Sequence, residues 1–377
     1  MKIIIVGTAF PLRGGIAHYN ALLAHHLGKR HDVQTITFKR QYPALFFPGK
    51  TQKESGEVKG VEAAPRWIDS MNPFNWHRVA DKISRLKPDL LIFKYWLPYF
   101  GPCFGTIARR VKKKTGAKVL FICDNVIPHE RRPGDVLFTK YAFKQADYFI
   151  VQSESVERDL LTFFPGAVYT KSPHPIYEYF GSQLSKTDAR SRLNVAEEKV
   201  ILFFGYIRAY KGLSVLIDAM KELERWQADL GTINLLAVGE PYEDVKKYYR
   251  RIEELRLGPR IRIISDYVPN DMVAVYFSAA DVVVLPYLSA TQSGIVQIAY
   301  NFDRPVIVTD VGGLSEVTLD GITGYVVPPN NPVALADAIR KFYSGGKEMI
   351  FSENVKREKK KYSWENFIEA IESIVGK

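Results

Sequence analysis

The chain has 377 residues, of which 46% are hydrophobic and 25% charged, and a formal net charge of +11. This is an ordinary globular composition, long enough for two domains. Its two cysteines, Cys103 and Cys123, exclude a disulfide framework and a cysteine-rich zinc site, and point to a reducing compartment.

No uninterrupted apolar stretch reaches about 18 residues, so no membrane span is expected. The apolar run at the N-terminus is too short for a signal peptide. Basic clusters stand at Arg109-Arg-Val-Lys-Lys-Lys114 and Lys356-Arg-Glu-Lys-Lys-Lys361. Anionic small molecules, an acidic membrane surface and nucleic acid are the partners such charge suits, beside a merely solvated basic face. No nucleic-acid motif accompanies it.

In chain order, residues 2–6 form a buried strand, Gly7-Thr-Ala-Phe-Pro-Leu-Arg-Gly14-Gly15 a loop, and residues 16–27 a helix. The loop has the place of a phosphate cradle, yet is neither G-x-G-x-x-G nor a P-loop with its lysine. Paired glycines let a ligand approach the backbone closely, and a plain flexible loop is the other reading. A strand follows at 32–38, then a long loop with the apolar stretch Ala44-Leu-Phe-Phe-Pro48, a helix at 79–86 and a strand at 89–93. Residues 96–104 are unusually aromatic for a loop. Core packing explains most such runs, but two in one half also suit an apolar acceptor or a membrane edge.

The strand at 117–122 runs into Cys123-Asp-Asn-Val-Ile-Pro-His-Glu130. Asp124, Asn125, His129 and Glu130 thus lie just past the C-terminal end of a strand, where open α/β sheets bind ligands. Each alone could be a turn residue. A helix at 136–145, a strand at 148–151 and another helix from 152 complete the first half. The polar segment near 182–190 reads as a linker.

The second half repeats the alternation. A strand at 199–204 leads to Gly205-Tyr-Ile-Arg-Ala-Tyr-Lys-Gly212 and a helix at 213–225. Arg208 and Lys211 beside a helix N-terminus suit a diphosphate; two surface cations are the alternative. After the apolar run Asp281-Val-Val-Val-Leu-Pro286, Thr291-Gln292-Ser293-Gly294 stands where a strand ends and a helix begins. Free N–H groups and a helix dipole there suit a phosphate, and the Thr291 and Ser293 hydroxyls can either cap the helix or touch a ligand. Alternating strands and helices in both halves predict two doubly wound α/β domains with parallel sheets.

Phe203-Phe-Gly-Tyr-Ile-Arg-Ala-Tyr-Lys-Gly212 resembles the donor-phosphate loop of the retaining "group 1" nucleotide-sugar glycosyltransferases. Arg304-Pro-Val-Ile-Val-Thr-Asp-Val-Gly-Gly-Leu-Ser-Glu316 and Asp320-Gly-Ile-Thr-Gly-Tyr-Val-Val-Pro-Pro329 resemble their most recognisable segment. The resemblance implies a GT-B fold, two Rossmann-like domains facing a cleft. It implies an acceptor domain at 1–180, a linker at 181–198, a donor domain at 199–361 and a closing helix at 362–377 packed on the first domain.

By the same resemblance, Arg208 and Lys211 hold the donor diphosphate, and Gly14, Gly15, Thr291, Gln292, Ser293, Gly294 and Glu316 line the donor site. Asp124 falls where many relatives carry a histidine at the reacting centre, with His129 the nearest histidine. The family's two glutamates, one near the donor sugar and one on the ribose, fall on Ala290 and Ile298. Tyr206 stands where the family's loop arginine usually follows the glycine.

No metal or other cofactor is implied, because cations and helix N-termini can stabilise the leaving diphosphate. The expected partners are a nucleotide diphosphate sugar and a glycan or lipid-linked acceptor, with no nucleic acid. The expected location is the cytoplasm, or the inner membrane face as a peripheral protein. The rival expectations are a non-catalytic sugar-nucleotide or glycan-binding protein of the same fold, motivated by the missing glutamates, and a nicotinamide-dependent oxidoreductase, which the lack of G-x-G-x-x-G disfavours.

Overall fold

A computed structural model describes residues 1–43, 63–127, 132–196 and 198–376. The chain divides into two compact units. The first comprises Met1–Pro175 and Ser363–Lys377, the second Ile176–Tyr362.

The first unit runs β1 (Lys2–Val6), α1 (Gly15–Gly28), β2 (Asp32–Arg40), β3 (Arg66–Asp69), α2 (Pro73–Arg85), β4 (Leu90–Tyr95), α3 (Gly101–Thr115), β5 (Lys118–Cys123), α4 (Asp135–Phe143), β6 (Tyr148–Val151), α5 (Glu154–Phe163) and β7 (Tyr169–Lys171). Among the described residues its parallel sheet has seven strands in the order β3-β2-β1-β4-β5-β6-β7. Strands β1, β4 and β5 are buried almost throughout, as a parallel sheet covered on both faces requires.

The second unit runs α6 (Lys186–Leu193), β8 (Lys199–Phe204), α7 (Leu213–Glu222), α8 (Gln227–Leu230), β9 (Ile233–Val238), α9 (Lys246–Glu254), β10 (Ile261–Ile264), α10 (Asn270–Ala279), β11 (Val282–Leu285), α11 (Gly294–Asn301), β12 (Val306–Thr309), α12 (Leu314–Val317), β13 (Gly324–Val327), α13 (Pro332–Ser344) and α14 (Lys347–Glu358). Its parallel sheet has six strands among the described residues, in the order β10-β9-β8-β11-β12-β13. The last helix, α15 (Trp364–Val375), belongs to the first unit, where it packs on α1, β6 and β7.

Caps explain several boundaries. Asn331 accepts from the Ala334 N–H at 2.9 Å and Pro332 occupies the first turn of α13. The same device, Asn72 with Pro73, starts α2 six residues before the expected residue 79.

Two expectations are revised, and a third lies outside the described residues. The aromatic stretch at 96–104 is not an open loop. Phe100 and Phe104 are fully buried, Trp96 packs on Phe100 at 4.6 Å between ring centroids, and α3 begins inside the stretch at Gly101. Its aromatics fill the first unit's core, which outweighs exposure to an acceptor. The stretch at 181–198 is not a bare linker. It carries α6, whose Lys186 and Arg190 both bond the buried Asp281 carboxylate of the second unit. The apolar stretch at 44–48 lies outside the described residues.

Candidate functional site

In an open parallel sheet, ligands bind beyond the C-terminal strand ends, where the strand order reverses. In the second unit that point lies between β8 and β11. The two loops leaving it are residues 205–212 and 286–293, so topology joins two motifs about eighty residues apart in sequence. The join is direct: the Leu288 N–H bonds the Tyr210 carbonyl at 2.7 Å.

Lys211 is the centre of this site. It is only 7% exposed, and its Nζ lies 5.3 Å from the centroid of the Tyr287 ring. The Tyr287 hydroxyl shares a hydrogen bond with Ser293 Oγ at 3.3 Å. Ser293 caps α11, accepting from the Ile295 N–H at 3.2 Å. Lysine, tyrosine and cap therefore form a continuous path from the β8 loop to the N-terminus of α11. Capping, one of the two roles open to Ser293, is seen.

No carboxylate among the described residues pairs with Lys211 or Arg208. Burial pushes the Lys211 ammonium down to about 8, with the nearby Tyr210 raising it and Arg208 lowering it further. Arg208 is half-buried and lies against the Tyr242 ring, 4.7 Å from its centroid, and Tyr242 in turn meets Tyr206 edge-on at 4.5 Å. Aromatic faces hold the guanidinium without neutralising it.

Glycine makes the space. A Cβ on Gly205 would stand 2.9 Å from Lys211 Nζ, and its backbone is in the left-handed region with φ at 104°. Gly205→Ala is expected to displace the ammonium tip and strain the loop backbone, lowering the melting temperature while leaving the circular dichroism spectrum like that of wild type; a thermal melt followed by circular dichroism checks both. A Cβ on Gly312 would lie 1.9 Å from the Ala290 carbonyl oxygen. That close approach lets the Gly313 N–H reach the Thr291 carbonyl at 2.7 Å. Thr291 is buried under this turn, and Gly294 lies against the Tyr177 ring. Glu316, on the short α12 just beyond, is exposed, and its charge contributes to raising the Tyr362 phenol. Ala290 and Ile298 are both buried.

The first unit reverses its strand order between β1 and β4. The loop after β1 is pinned rather than slack. The Asn20 amide bonds the Thr8 carbonyl, Gln41 bonds the Thr8 hydroxyl, and the Ala9 N–H bonds Thr37 Oγ1, each at 2.9 Å. The loop ends at Gly14, whose carbonyl opens α1 by accepting from Ala17 and His18, and Gly15 is the first helical residue. His18 is buried behind it, and desolvation pushes its imidazole down to about 4, so it is neutral near pH 7.

Asp124 follows β5, and its Oδ1 lies 2.6 Å from the Nζ of Lys94, the penultimate residue of β4, which is 1% exposed. Lys94 also donates to Gln152 Oε1 at 3.0 Å and sits 3.6 Å from the centre of the Tyr19 ring. His174 meets Tyr19 edge-on at 5.0 Å, and burial with the Lys94 charge pushes it down to about 3. Asp124 keeps 16% of its side chain exposed, at the strand end. His129 and Glu130 lie outside the described residues, and Asn125 donates to the Trp96 carbonyl at 3.4 Å.

Sequence reasoning passed over Lys94 and Tyr287. The signal for Lys94 was a lone cation at the end of an otherwise apolar strand, Leu90-Leu-Ile-Phe-Lys-Tyr95. Tyr287 offered none, because a tyrosine after a proline reads as any turn. Among the described residues no group of three or more His, Cys, Asp or Glu side chains could hold a metal ion. None of their helices is long and apolar enough to cross a membrane.

Residues 198–344 match the family "Glycosyl transferases group 1", and residues 13–169 match "Glycosyltransferase Family 4". The D-inositol 3-phosphate glycosyltransferase of Corynebacterium glutamicum is 28% identical over 228 residues, covering 58% of this chain and 54% of that protein. The chain spans about half the length of the curated relatives it matches. Two solved structures align over 99% of this chain. Sucrose-phosphate synthase from Thermosynechococcus elongatus has a TM-score of 0.73 at 19% identity, over 98% of its own chain. HepE from Anabaena, solved in complex with UDP, has a TM-score of 0.73 at 15% identity, over 100% of its chain.

Proposed function

The chain belongs to the group 1 glycosyltransferases of the GT-B fold, and on that premise we propose that it moves a sugar from a nucleotide diphosphate donor to a glycan or lipid-linked acceptor, with retention at the anomeric carbon. The second unit binds the donor, and the first unit supplies the acceptor side. The observation that carries this reading is a contrast between two buried lysines, Lys94 near the end of β4 and Lys211 in the loop after β8. Lys94 is matched by a carboxylate at 2.6 Å, whereas no carboxylate among the described residues pairs with Lys211. A buried cation costs several kcal/mol unless something anionic arrives. A diphosphate beside Lys211, Arg208 and the N-terminus of α11 meets that need. The same groups stabilise the diphosphate as it leaves, so the chain's own cations supply the electrophilic help. The chain's basic balance suits an acceptor presented at an anionic surface.

UDP and UDP-sugars are the first donors to test, supported by the UDP found in HepE. A donor that binds only the folded state raises the melting temperature as its concentration passes Kd. No shift with any nucleotide diphosphate or nucleotide-sugar would remove the donor assignment.

The pH dependence has a definite sign. A bound diphosphate raises the Lys211 pKa above its ligand-free value of about 8. Above that pH, binding takes up a proton, so UDP affinity falls as pH rises, by at most about tenfold per unit. A flat affinity profile across this window would show that Lys211 does not face the diphosphate.

A second reading is favoured by one observation. Ala290 and Ile298 stand where the family places its glutamates, and both are buried and apolar. A sugar-nucleotide-binding protein without turnover fits that loss. Donor binding with neither transfer nor hydrolysis across a broad acceptor panel would select it.

A further inference from the structure

The loop after β8 is tied along its length to the loop after β9. The two strands pair in register up to Phe204 and Val238, and the pairing continues past both strand ends. The Gly205 N–H donates to the Val238 carbonyl at 2.9 Å and the Ile207 N–H to the Glu240 carbonyl at 3.0 Å. The Tyr242 N–H returns to the Ile207 carbonyl at 3.0 Å, and Ile207 and Pro241 form a bridge. A Cβ on Gly239 would stand 1.9 Å from the Gly205 carbonyl oxygen, so only glycine lets the loops approach this closely. Backbone bonds therefore fix where Tyr242 stands relative to Arg208.

Arg208 has extended backbone, with φ at −138° and ψ at 150°, and side chains alternate along an extended segment. Ile207 is fully buried, which puts its half-buried neighbours Tyr206 and Arg208 together on the other face. The Tyr242 ring meets both. Tyr206 touches it edge-on at 4.5 Å between centroids, and the Arg208 guanidinium carbon lies 4.7 Å from its centroid. Among the described residues no carboxylate pairs with Arg208 and no acceptor takes its guanidinium N–H groups. An acidic partner would hold the side chain by occupying those donors and neutralising the charge. An aromatic face holds it and does neither.

We propose that Tyr242 is a positioning residue of the donor site: its ring, braced by Tyr206, seats the Arg208 guanidinium and leaves the N–H groups for the oxygens of the diphosphate. The proposal deepens the proposed function and rests on its donor assignment. It adds the loop after β9 to the two loops already joined there. The gain is preorganisation. A long arginine side chain that is free before binding loses its rotamer freedom when a ligand arrives, whereas one already seated on a ring has less to lose. An oriented cation also needs no rearrangement as the diphosphate departs.

Calorimetric titration with UDP, GDP and ADP identifies the nucleotide diphosphate that binds wild type, and the variants are compared on it. Tyr242→Leu is expected to lose roughly tenfold in affinity, with a ligand-free melting temperature like that of wild type. Tyr242→Phe keeps the ring and is expected to stay within about threefold of wild type. In the Arg208→Ala background, Tyr242→Leu is expected to lose nothing further, since the ring acts through the guanidinium. Fluorinating the ring of Tyr242→Phe drains its face of electron density at nearly constant size, so affinity is expected to fall with each fluorine; this series decides the matter should Tyr242→Leu fail to fold. Wild-type affinity in folded Tyr242→Leu, equal losses in Tyr242→Leu and Tyr242→Phe, a further loss in the Arg208→Ala background, or no change along the fluorine series overturns the proposal and leaves the donor reading standing. A wild type that binds none of the three nucleotides overturns the donor reading and the proposal with it.

Discussion

Replacing Lys211 by methionine is expected to abolish sugar transfer and the UDP-induced melting shift while leaving the ligand-free protein at least as stable as wild type. The two halves have one cause. Lys211 is buried with no carboxylate among the described residues beside it, and desolvation holds its ammonium down to about 8, so at neutral pH the folded state carries a charge it does not solvate well. Methionine has similar length and no charge to desolvate, so it relieves that cost. A preorganised charge on a leaving oxyanion is worth roughly 10²–10³ in rate, and loss of binding adds to that. Arg208→Ala is expected to have a smaller effect, because Arg208 is half-buried and its charge is better solvated. Melting curves with and without UDP, together with turnover of whichever donor shifts wild type, check the result. Wild-type turnover in Lys211→Met would end the diphosphate assignment. A large drop in ligand-free melting temperature would mean that the lysine is structural.

Asp124→Ala is expected to do the opposite, destabilising the first unit by about 3–5 kcal/mol. The substitution strands the Lys94 ammonium, 1% exposed, with only the Gln152 amide and the Tyr19 ring for company. Burial already pushes the Lys94 pKa down, and Asp124 is the main group holding it up. Removing both charges, as Lys94→Met with Asp124→Leu, is expected to recover most of the loss, since an apolar pair of similar volume often matches a buried ion pair. The measurement is a double-mutant cycle by calorimetry, following the unfolding of the first unit. Additive losses would show that the two charges do not depend on each other. The contrast with Lys211 carries the functional argument: removing the carboxylate beside Lys94 is expected to cost stability, whereas removing the cation at Lys211 is expected to cost ligand binding and none of the ligand-free stability.

Much of the fold was legible because its signals are local. Apolar runs such as Asp281-Val-Val-Val-Leu-Pro286 read as buried strands, and Asn331-Pro332 read as a helix start. Short edge strands were not legible. Strands β3, β7 and β13 span four, three and four residues, too few to show a period, and form because a neighbouring strand offers its free N–H and C=O groups. Helix α14 was passed over because its weak apolar stripe, Phe351 and Val355, is buried by packing on α13 among many charges. The aromatic stretch at 96–104 left core packing and an acceptor surface both open, because aromatic rings look alike in sequence whether they face a ligand or each other; the core reading is the one seen.

The amino-acid sequence by itself determined the alternation of strands and helices, the glycine positions, and the cations placed at a strand end. Those depend on side-chain period, backbone freedom and charge, which act over a few residues. Only the tertiary structure decided which of those cations are answered. It set Asp124 against Lys94, left Lys211 over the Tyr287 ring with no carboxylate among the described residues, and brought residues 205–212 and 286–293 together where the strand order reverses between β8 and β11. Pairing of charges depends on distances between segments far apart in the chain, and burial sets the strength of each interaction, so neither can be read from spacing along it.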